Sequence, residues 1–331
     1  MEFLNLENFN YMLRLLFKTS NLIFIMGLFT VKNVISLVSM GPSFLQSILR
    51  KVPFYVNYDL TWQCNLKCKH CYFFSATTEL KNKRMELSCE EWIKVFKYHK
   101  KLGTKIAVLT GGEPTLRMEV IKEAIKIFPS VQVVSNGIIK LPRFNGYKQP
   151  RYWVSIDGTK ETHDKIRGAR VFDKVIQNIQ ESNPVVTSTI MTLNHKEIED
   201  IVKIAHDNGA SGFVFSLYTG YPNDPLLLKG NILKKTIRDI LKVMREYGNF
   251  ICYSKKMIEL YLSKEFVPHC IFKTGQIKSF YPDGKQKFCV MGNSPLLCAN
   301  CGCIVPIAAN AIFKKFDSST VDKARKLFNF A

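Results

Sequence analysis

Between residues 52 and 220 the apolar positions switch repeatedly between two periods. Short, nearly continuous apolar runs at 53–60, 106–110, 131–135, 152–156, 185–192 and 212–217 read as buried strands. Between most of them the apolar residues recur every three to four positions, which predicts helices over 88–102, 118–128, 172–181 and 197–208. The residues at the element ends agree. Ser88 and Glu91 stand at capping-box spacing before the first helix, whose apolar face reads as Ile93, Phe96 and Leu102, and Gly103 stops it. Asn136-Gly137 ends the third strand, and Asp157-Gly158 with a basic loop follows the fourth. Strands alternating with helices predict an α/β chain. About six such repeats give a partial (βα)6 TIM-like barrel, with its chemistry on the loops after the strands.

The flanks follow other patterns. Residues 1–51 form an apolar N-terminal segment in which Lys32 is the sole charge between Thr19 and Leu49. Its longest clean block, 22–31, is too short to cross about 30 Å of hydrocarbon. Running on past Lys32 to Met40 would place a charge near the middle, at about 2.5–3.5 kcal/mol. Arg14, Lys18, Arg50 and Lys51 around it suit a helical pair that lies in a headgroup region, caps the site, or packs on the barrel. The barrel is expected over 52–229. Helical sequence at 233–247 and 255–263 then leads into a small cysteine-rich domain within 230–310, where Tyr281-Pro-Asp-Gly284 reads as a turn between two short strands. Residues 311–331 alternate Lys and Arg with apolar residues and are expected as an amphipathic helix on the surface.

Composition narrows the setting. Of 331 residues, 47% are hydrophobic and 22% charged, enough for a large core. The formal net charge of +20 points to an anionic neighbour or to a Lys-rich solvated surface. Ten cysteines without a secretory signal read as ligands in a reducing cytoplasm, with the inner membrane face as a peripheral location, rather than as disulfides. Cys89 and Cys252 stand alone and are expected as buried apolar residues.

The other eight cysteines carry the candidate chemistry. Cys64, Cys68 and Cys71 form a C-x3-C-x2-C run directly after the first strand. Three thiolates on one short loop can face a single point, and they are one fewer than a closed four-cysteine site. A zinc knuckle or a set of buried free thiols is the less favoured alternative on that spacing alone. Further on come Cys270, Cys289, Cys298, Cys301 and Cys303. Their spacing permits an iron–sulfur cluster or a structural zinc.

The first run, with His70 before its third cysteine, resembles the C-x3-C-x-φ-C signature of the radical S-adenosylmethionine (SAM) enzymes. The strand ends that follow strengthen the resemblance: Gly111-Gly112-Glu113-Pro114, then Ser135-Asn136-Gly137, then Ser155-Ile-Asp-Gly158 with His163-Asp164 and Arg167-Gly168. It spans roughly 54–220. It implies a [4Fe–4S] cluster on Cys64, Cys68 and Cys71, whose open iron chelates SAM and whose reduced form cleaves it to methionine and a 5′-deoxyadenosyl radical. By the same resemblance Gly111, Gly112, Glu113 and Pro114 receive the amino end of SAM, and Asn136, Ser155 and Arg167 meet its ribose or carboxylate. His70 lies near adenine, where the family often has an aromatic residue, and Asp157 either caps its turn or binds directly. The C-terminal cysteines resemble the start of a SPASM/twitch extension and imply an auxiliary iron–sulfur cluster. The full pattern of that extension is not present, since no cysteine follows Cys303.

The expected function is therefore a radical SAM enzyme, fed by an electron donor such as ferredoxin or flavodoxin, that attacks an unreactive C–H or C=C site. The apolar N-terminal segment and the positive charge favour a lipid or isoprenoid substrate. The alternatives are a maturase acting on a peptide or protein, and a non-catalytic iron–sulfur carrier or zinc-stabilised scaffold. Nucleic acid is disfavoured, because the barrel loops lack interleaved basic and aromatic residues.

Overall fold

Six strands follow one another across a single parallel sheet. The computed structural model describes residues 52–76 and 85–328, so the apolar N-terminal segment lies outside the described residues. The strands are β1 (Tyr55–Asp59), β2 (Ile106–Thr110), β3 (Ser130–Ser135), β4 (Arg151–Ser155), β5 (Val185–Ile190) and β6 (Gly212–Leu217). A C-terminal hairpin, β7 (Ile277–Phe280) and β8 (Gln286–Lys287), joins the same sheet, with β7 parallel to β1 and β8 antiparallel to β7. The order is β6-β5-β4-β3-β2-β1-β7-β8, an open, partial barrel. The helices in chain order are α1 (Tyr72–Ala76), α2 (Cys89–Leu102), α3 (Met118–Ile127), α4 (Lys160–Arg167), α5 (Phe172–Ser182), α6 (Ile198–Asp207), α7 (Gly230–Tyr247), α8 (Lys255–Ser263), α9 (Ile304–Phe313) and α10 (Ser318–Phe328). The expected basic loop after Gly158 is helix α4 instead, stopped by Gly168 at φ 78°. Among the described residues no helix is long and apolar enough to cross a membrane.

Two-residue alternation sorts the strand side chains. Tyr58 packs edge-on to Trp92 and Phe96 of α2, so that face of β1 is covered by helices. Tyr55, Asn57 and Asp59 then point into the curve of the sheet. The register carries this inner face across the sheet, from Asn57 beside Val108 to Gln132 and Arg151. Nearer the carboxyl ends it is polar, with Ser155 beside Thr187, and Thr189 beside Ser216.

The Ser88–Glu91 capping box and the Gly103 stop are both formed on α2. Its buried stripe is Trp92, Phe96 and His99, one position round from the expected one, which leaves Ile93 and Leu102 half-buried. Cys89, expected as buried, is only half-buried where it packs against the core, whereas Cys252 is fully buried. The Tyr58 hydroxyl lies 2.9 Å from His99 Nδ1, and burial lowers the His99 pKa to about 4. With the folded pKa below the unfolded one, this contribution to stability is full above pH 6.5 and is lost as pH falls from there toward 4. At pH 5 the deficit reaches about 2 kcal/mol. His99→Gln should therefore flatten the fall in the urea midpoint between pH 6.5 and 4. A slope equal to wild type would refute this.

Helix α10 is amphipathic, with Ser319 and Asp322 exposed and Thr320, Val321, Ala324 and Leu327 buried. Arg151 Nη2 donates to the Lys326 carbonyl at 3.0 Å, and Gln132 Nε2 to the Leu327 carbonyl at 3.3 Å. Both donors project from the inner face of the sheet, where an open barrel gives them no strand partner. The last carbonyls of a helix lack intrahelical donors, so α10 closes the base of the barrel and satisfies both sides.

Candidate active site

The cysteine loop follows β1 and is held on two sides by backbone contacts. On one side Leu60 N donates to Thr110 O (2.9 Å), Gly112 N to Thr61 O (2.9 Å) and Glu113 N to Gln63 O (2.8 Å). The approach is so close that a Cβ on Gly112 would stand 2.0 Å from Gln63 O, and Gly111 turns at φ +115°. On the other side Lys69 N donates to Ile166 O at 2.9 Å, and a Cβ on Gly168 would meet Lys67 O at 2.9 Å. Between these supports Cys64, Cys68 and Cys71 are free and partly exposed. Burial pushes the Cys64 thiol up to about 11, with Glu113, Cys68 and Cys71 adding to the effect, and burial raises the other two as well. Closely set thiols that resist ionisation alone are relieved by a cation shared among them, so the donor set fits an iron–sulfur cluster. Among the described residues no three His, Cys, Asp or Glu side chains stand close enough to hold a single ion. Cysteines of a cluster bind different irons and stand wider apart.

Glu113, assigned by resemblance to SAM, turns its side chain into the protein. Its carboxylate is 1% exposed. It accepts from Thr115 N (3.1 Å), Thr115 Oγ1 (2.6 Å), Ser135 Oγ (2.9 Å) and Asn136 N (2.8 Å). It thus ties the turn after β2 to the turn after β3. Asn136 Nδ2 in turn donates to Asn65 Oδ1 at 2.7 Å, inside the cysteine loop. Pro114 opens a short 3-10 turn behind them. Ser155 is half-buried on the polar inner face, at the carboxyl end of β4.

His70, Asp157 and Arg167 are brought to one another. Asp157 is completely buried. Its Oδ1 accepts from Thr189 N at 2.9 Å, and its Oδ2 lies 2.5 Å from Arg167 Nη2 and 3.4 Å from His70 Nε2. Asp157 N donates to His163 Nδ1 at 3.2 Å. Burial holds both histidines near pKa 4. Arg167 Nη1 reaches Cys68 Sγ at 3.8 Å. Asp157 is therefore a hub below the cysteine loop rather than only a turn cap.

The later cysteines span the open side of the sheet. Cys289 follows β8 and pairs with Gly292 through two backbone bonds of 3.1 and 3.0 Å. At the far edge Leu217 N donates to Gly302 O at 3.3 Å, and Gly302 N to Thr219 Oγ1 at 2.9 Å, so the segment reaches β6. Burial raises Cys289 to about 11 and Cys301 to about 12, with Cys270 a further neighbour of both. Cys270 is also coupled to Cys298, while Cys303, at the start of α9, is raised by burial and by Cys301, Cys289 and Cys270. All five are free and partly exposed. Tyr72 stands within electrostatic reach of both Cys71 and Cys303, so it neighbours both cysteine sets.

Sequence reasoning missed one pair. Lys287 Nζ of β8 forms an ion pair with Asp59 Oδ2 of β1, and both side chains are almost fully buried. Asn57 and Asp59, polar at alternate positions of an apolar strand, were the available signal, and nothing around Lys287 marked it. A cavity of about 440 Å³ lies elsewhere, between α7, α8 and α10, and none of the cysteines lines it.

Comparison with known proteins agrees with this geometry. A family model described as the radical SAM superfamily matches residues 59–208, from the end of β1 through α6. The sporulation killing factor maturation protein SkfB of Bacillus subtilis is 34% identical over 179 residues, covering 50% of this chain and 42% of that protein. The Fe-coproporphyrin III synthase of Methanosarcina barkeri is 31% identical over 160 residues, covering 45% and 39%. The chain thus spans less than half the length of either. Streptococcus suis SuiB, solved with its precursor peptide SuiA, shares the fold with a TM-score of 0.59 at 14% identity, over 89% of this chain and 76% of that one. The domain's cofactors are a [4Fe–4S] cluster and SAM. With the three-cysteine loop, the glycine turn and the open parallel barrel all in place, residues 59–208 are a domain of the radical SAM superfamily.

Proposed function

We propose that this protein is a radical SAM enzyme that modifies a peptide or protein substrate. The carrying observation is the loop of three free thiols fastened between the Gly111–Gly112 turn and the end of α4, at the carboxyl ends of the barrel strands. When bound there, the cluster and SAM supply a carbon radical that abstracts hydrogen. The chain's own residues orient and enclose. Because the Gly112 and Glu113 N–H groups are committed to the cysteine loop, the turn offers carbonyls, which suit an ammonium group. Ser155, Thr187, Thr189 and Ser216 present hydroxyls along the inner face for a ribose or a substrate backbone. Of Cys270, Cys289, Cys298, Cys301 and Cys303, at most four would hold an auxiliary cluster, leaving at least one thiol spare.

The peptide reading draws support from SkfB, a maturation protein, and from SuiB, whose likeness extends well beyond the barrel. The lipid reading rested on residues 1–51, outside the described residues, and on the net charge of +20, and neither relative favours it. A pure electron carrier has no use for a glycine turn and an open iron. The test is anaerobic reconstitution, dithionite reduction and measurement of 5′-deoxyadenosine, which should form with wild type and vanish with Cys68→Ala. Wild type that is full of iron yet cleaves no SAM sinks the enzyme reading. Co-expression with peptides encoded beside the gene should give a mass change. Unchanged peptides with a consumed lipid would instead restore the lipid reading.

A further inference from the structure

Arg167 resembles a SAM contact in sequence, yet its guanidinium is already occupied. It is 8% exposed, its Nη2 lies 2.5 Å from Asp157 Oδ2, and its Nη1 points at Cys68 Sγ from 3.8 Å. The remaining donor, Nε, is buried with no partner among the described residues. A carboxylate is held best by two parallel N–H groups of one guanidinium edge. Each edge of Arg167 here either carries Asp157 or faces the cysteine loop.

The surroundings hold that orientation. Asp157 is fixed by Thr189 N on its other oxygen, and its own N–H is accepted by His163 Nδ1. That acceptor role requires an imidazole without a proton on Nδ1. Arg167 also ends α4, whose following residue, Gly168, packs on the Lys67 carbonyl next to Cys68. The arginine therefore cannot withdraw without moving the cysteine loop.

We propose that Arg167 is a positioning residue that donates to the Cys68 sulfur and thereby sets the electron affinity of the cluster. The inference rests on the radical SAM reading above. A cluster with thiolate ligands is anionic, and reduction adds a further negative charge. A permanent cation and a hydrogen bond at a ligating sulfur stabilise the reduced form more than the oxidised one, which raises the reduction potential. The effect is large in a buried site, where charges are weakly screened. Asp157 holds the cation in place and offsets part of it, so removing each partner should move the potential in opposite directions.

The experiment is an EPR-monitored redox titration of the reconstituted protein without SAM, with iron content and SAM affinity measured in parallel. Arg167→Gln should keep its iron and retain SAM affinity while its cluster becomes reducible only at more negative potential. Asp157→Asn should shift the potential the other way. Arg167→Lys, which keeps the charge and loses the fork, should shift less than Arg167→Gln in the same direction, and it decides the matter if Arg167→Gln fails to assemble. An unchanged potential with SAM affinity falling about tenfold or more would make Arg167 a SAM ligand and overturn the proposal. Absence of any [4Fe–4S] signal in wild type would instead defeat the underlying reading.

Discussion

Lys287→Met should destabilise the reconstituted protein by about 3–5 kcal/mol, read as a lower denaturant midpoint. The ammonium of Lys287 sits against Asp59 Oδ2, donates to the Val290 carbonyl at 3.1 Å, and lies 5.3 Å from the centre of the Tyr281 ring. Asp59 has two further donors on Oδ1, Asn57 Nδ2 at 3.3 Å and Thr110 Oγ1 at 2.8 Å. Those neutral groups cannot balance a full negative charge at a side chain that is 0% exposed. Methionine fills the space of the lysine stem and leaves the carboxylate alone. Adding Asp59→Asn should recover much of the loss, because the unpaired charge, rather than the missing contact, is what destabilises. If Lys287→Met alone is neutral, the pair is not buried in solution. The pair also joins β8, two residues before Cys289, to β1, five residues before Cys64, so its loss should loosen the contact between the two cysteine regions.

Gly112→Ala should lower SAM cleavage on the order of 10²-fold, with the fold retained by circular dichroism. The added Cβ would lie 2.0 Å from Gln63 O and 2.6 Å from Gln63 C, both backbone atoms that no side-chain rotation can clear. Gln63 immediately precedes Cys64, so relief of the clash displaces a cluster ligand. The Gly112 N to Thr61 O and Glu113 N to Gln63 O bonds would lengthen together. Iron content after reconstitution should fall in parallel. Full iron with unimpaired cleavage would mean that the cysteine loop tolerates a shift of about an ångström.

Much of this molecule was readable because it is written locally. The α2 cap needs Ser88 and Glu91 three residues apart, and both bonds form at 3.2 and 2.7 Å. The three cysteines and the glycine turn are likewise short runs, and the buried strands of a parallel sheet declare themselves as nearly continuous apolar blocks. The α2 stripe was misplaced by one position because Trp92 and His99 are amphipathic, and their burial depends on what Tyr58 presents to them.

What failed to show in the sequence has a common cause, which is that charged and polar side chains do not name their partners. Arg167 matched a motif for SAM, and only the fold reveals Asp157 and Cys68 at its two edges. Glu113 sat within a SAM motif, and only the packing of β2 beside β3 turns it toward Ser135 and Asn136. Lys287 and Asp59 lie 228 residues apart, joined because the C-terminal hairpin adds to the free edge of β1. The amphipathic tail was expected on the surface, and only the open barrel shows that its final carbonyls meet Gln132 and Arg151. By itself, then, the sequence determined the repeating α/β architecture, the cysteine loop that opens it and the superfamily of the domain at 59–208, because periodicity and short motifs are local properties of the chain. The tertiary structure alone decided which side chains remain free to meet a ligand, because a buried charge must be matched by whatever group the fold brings to it.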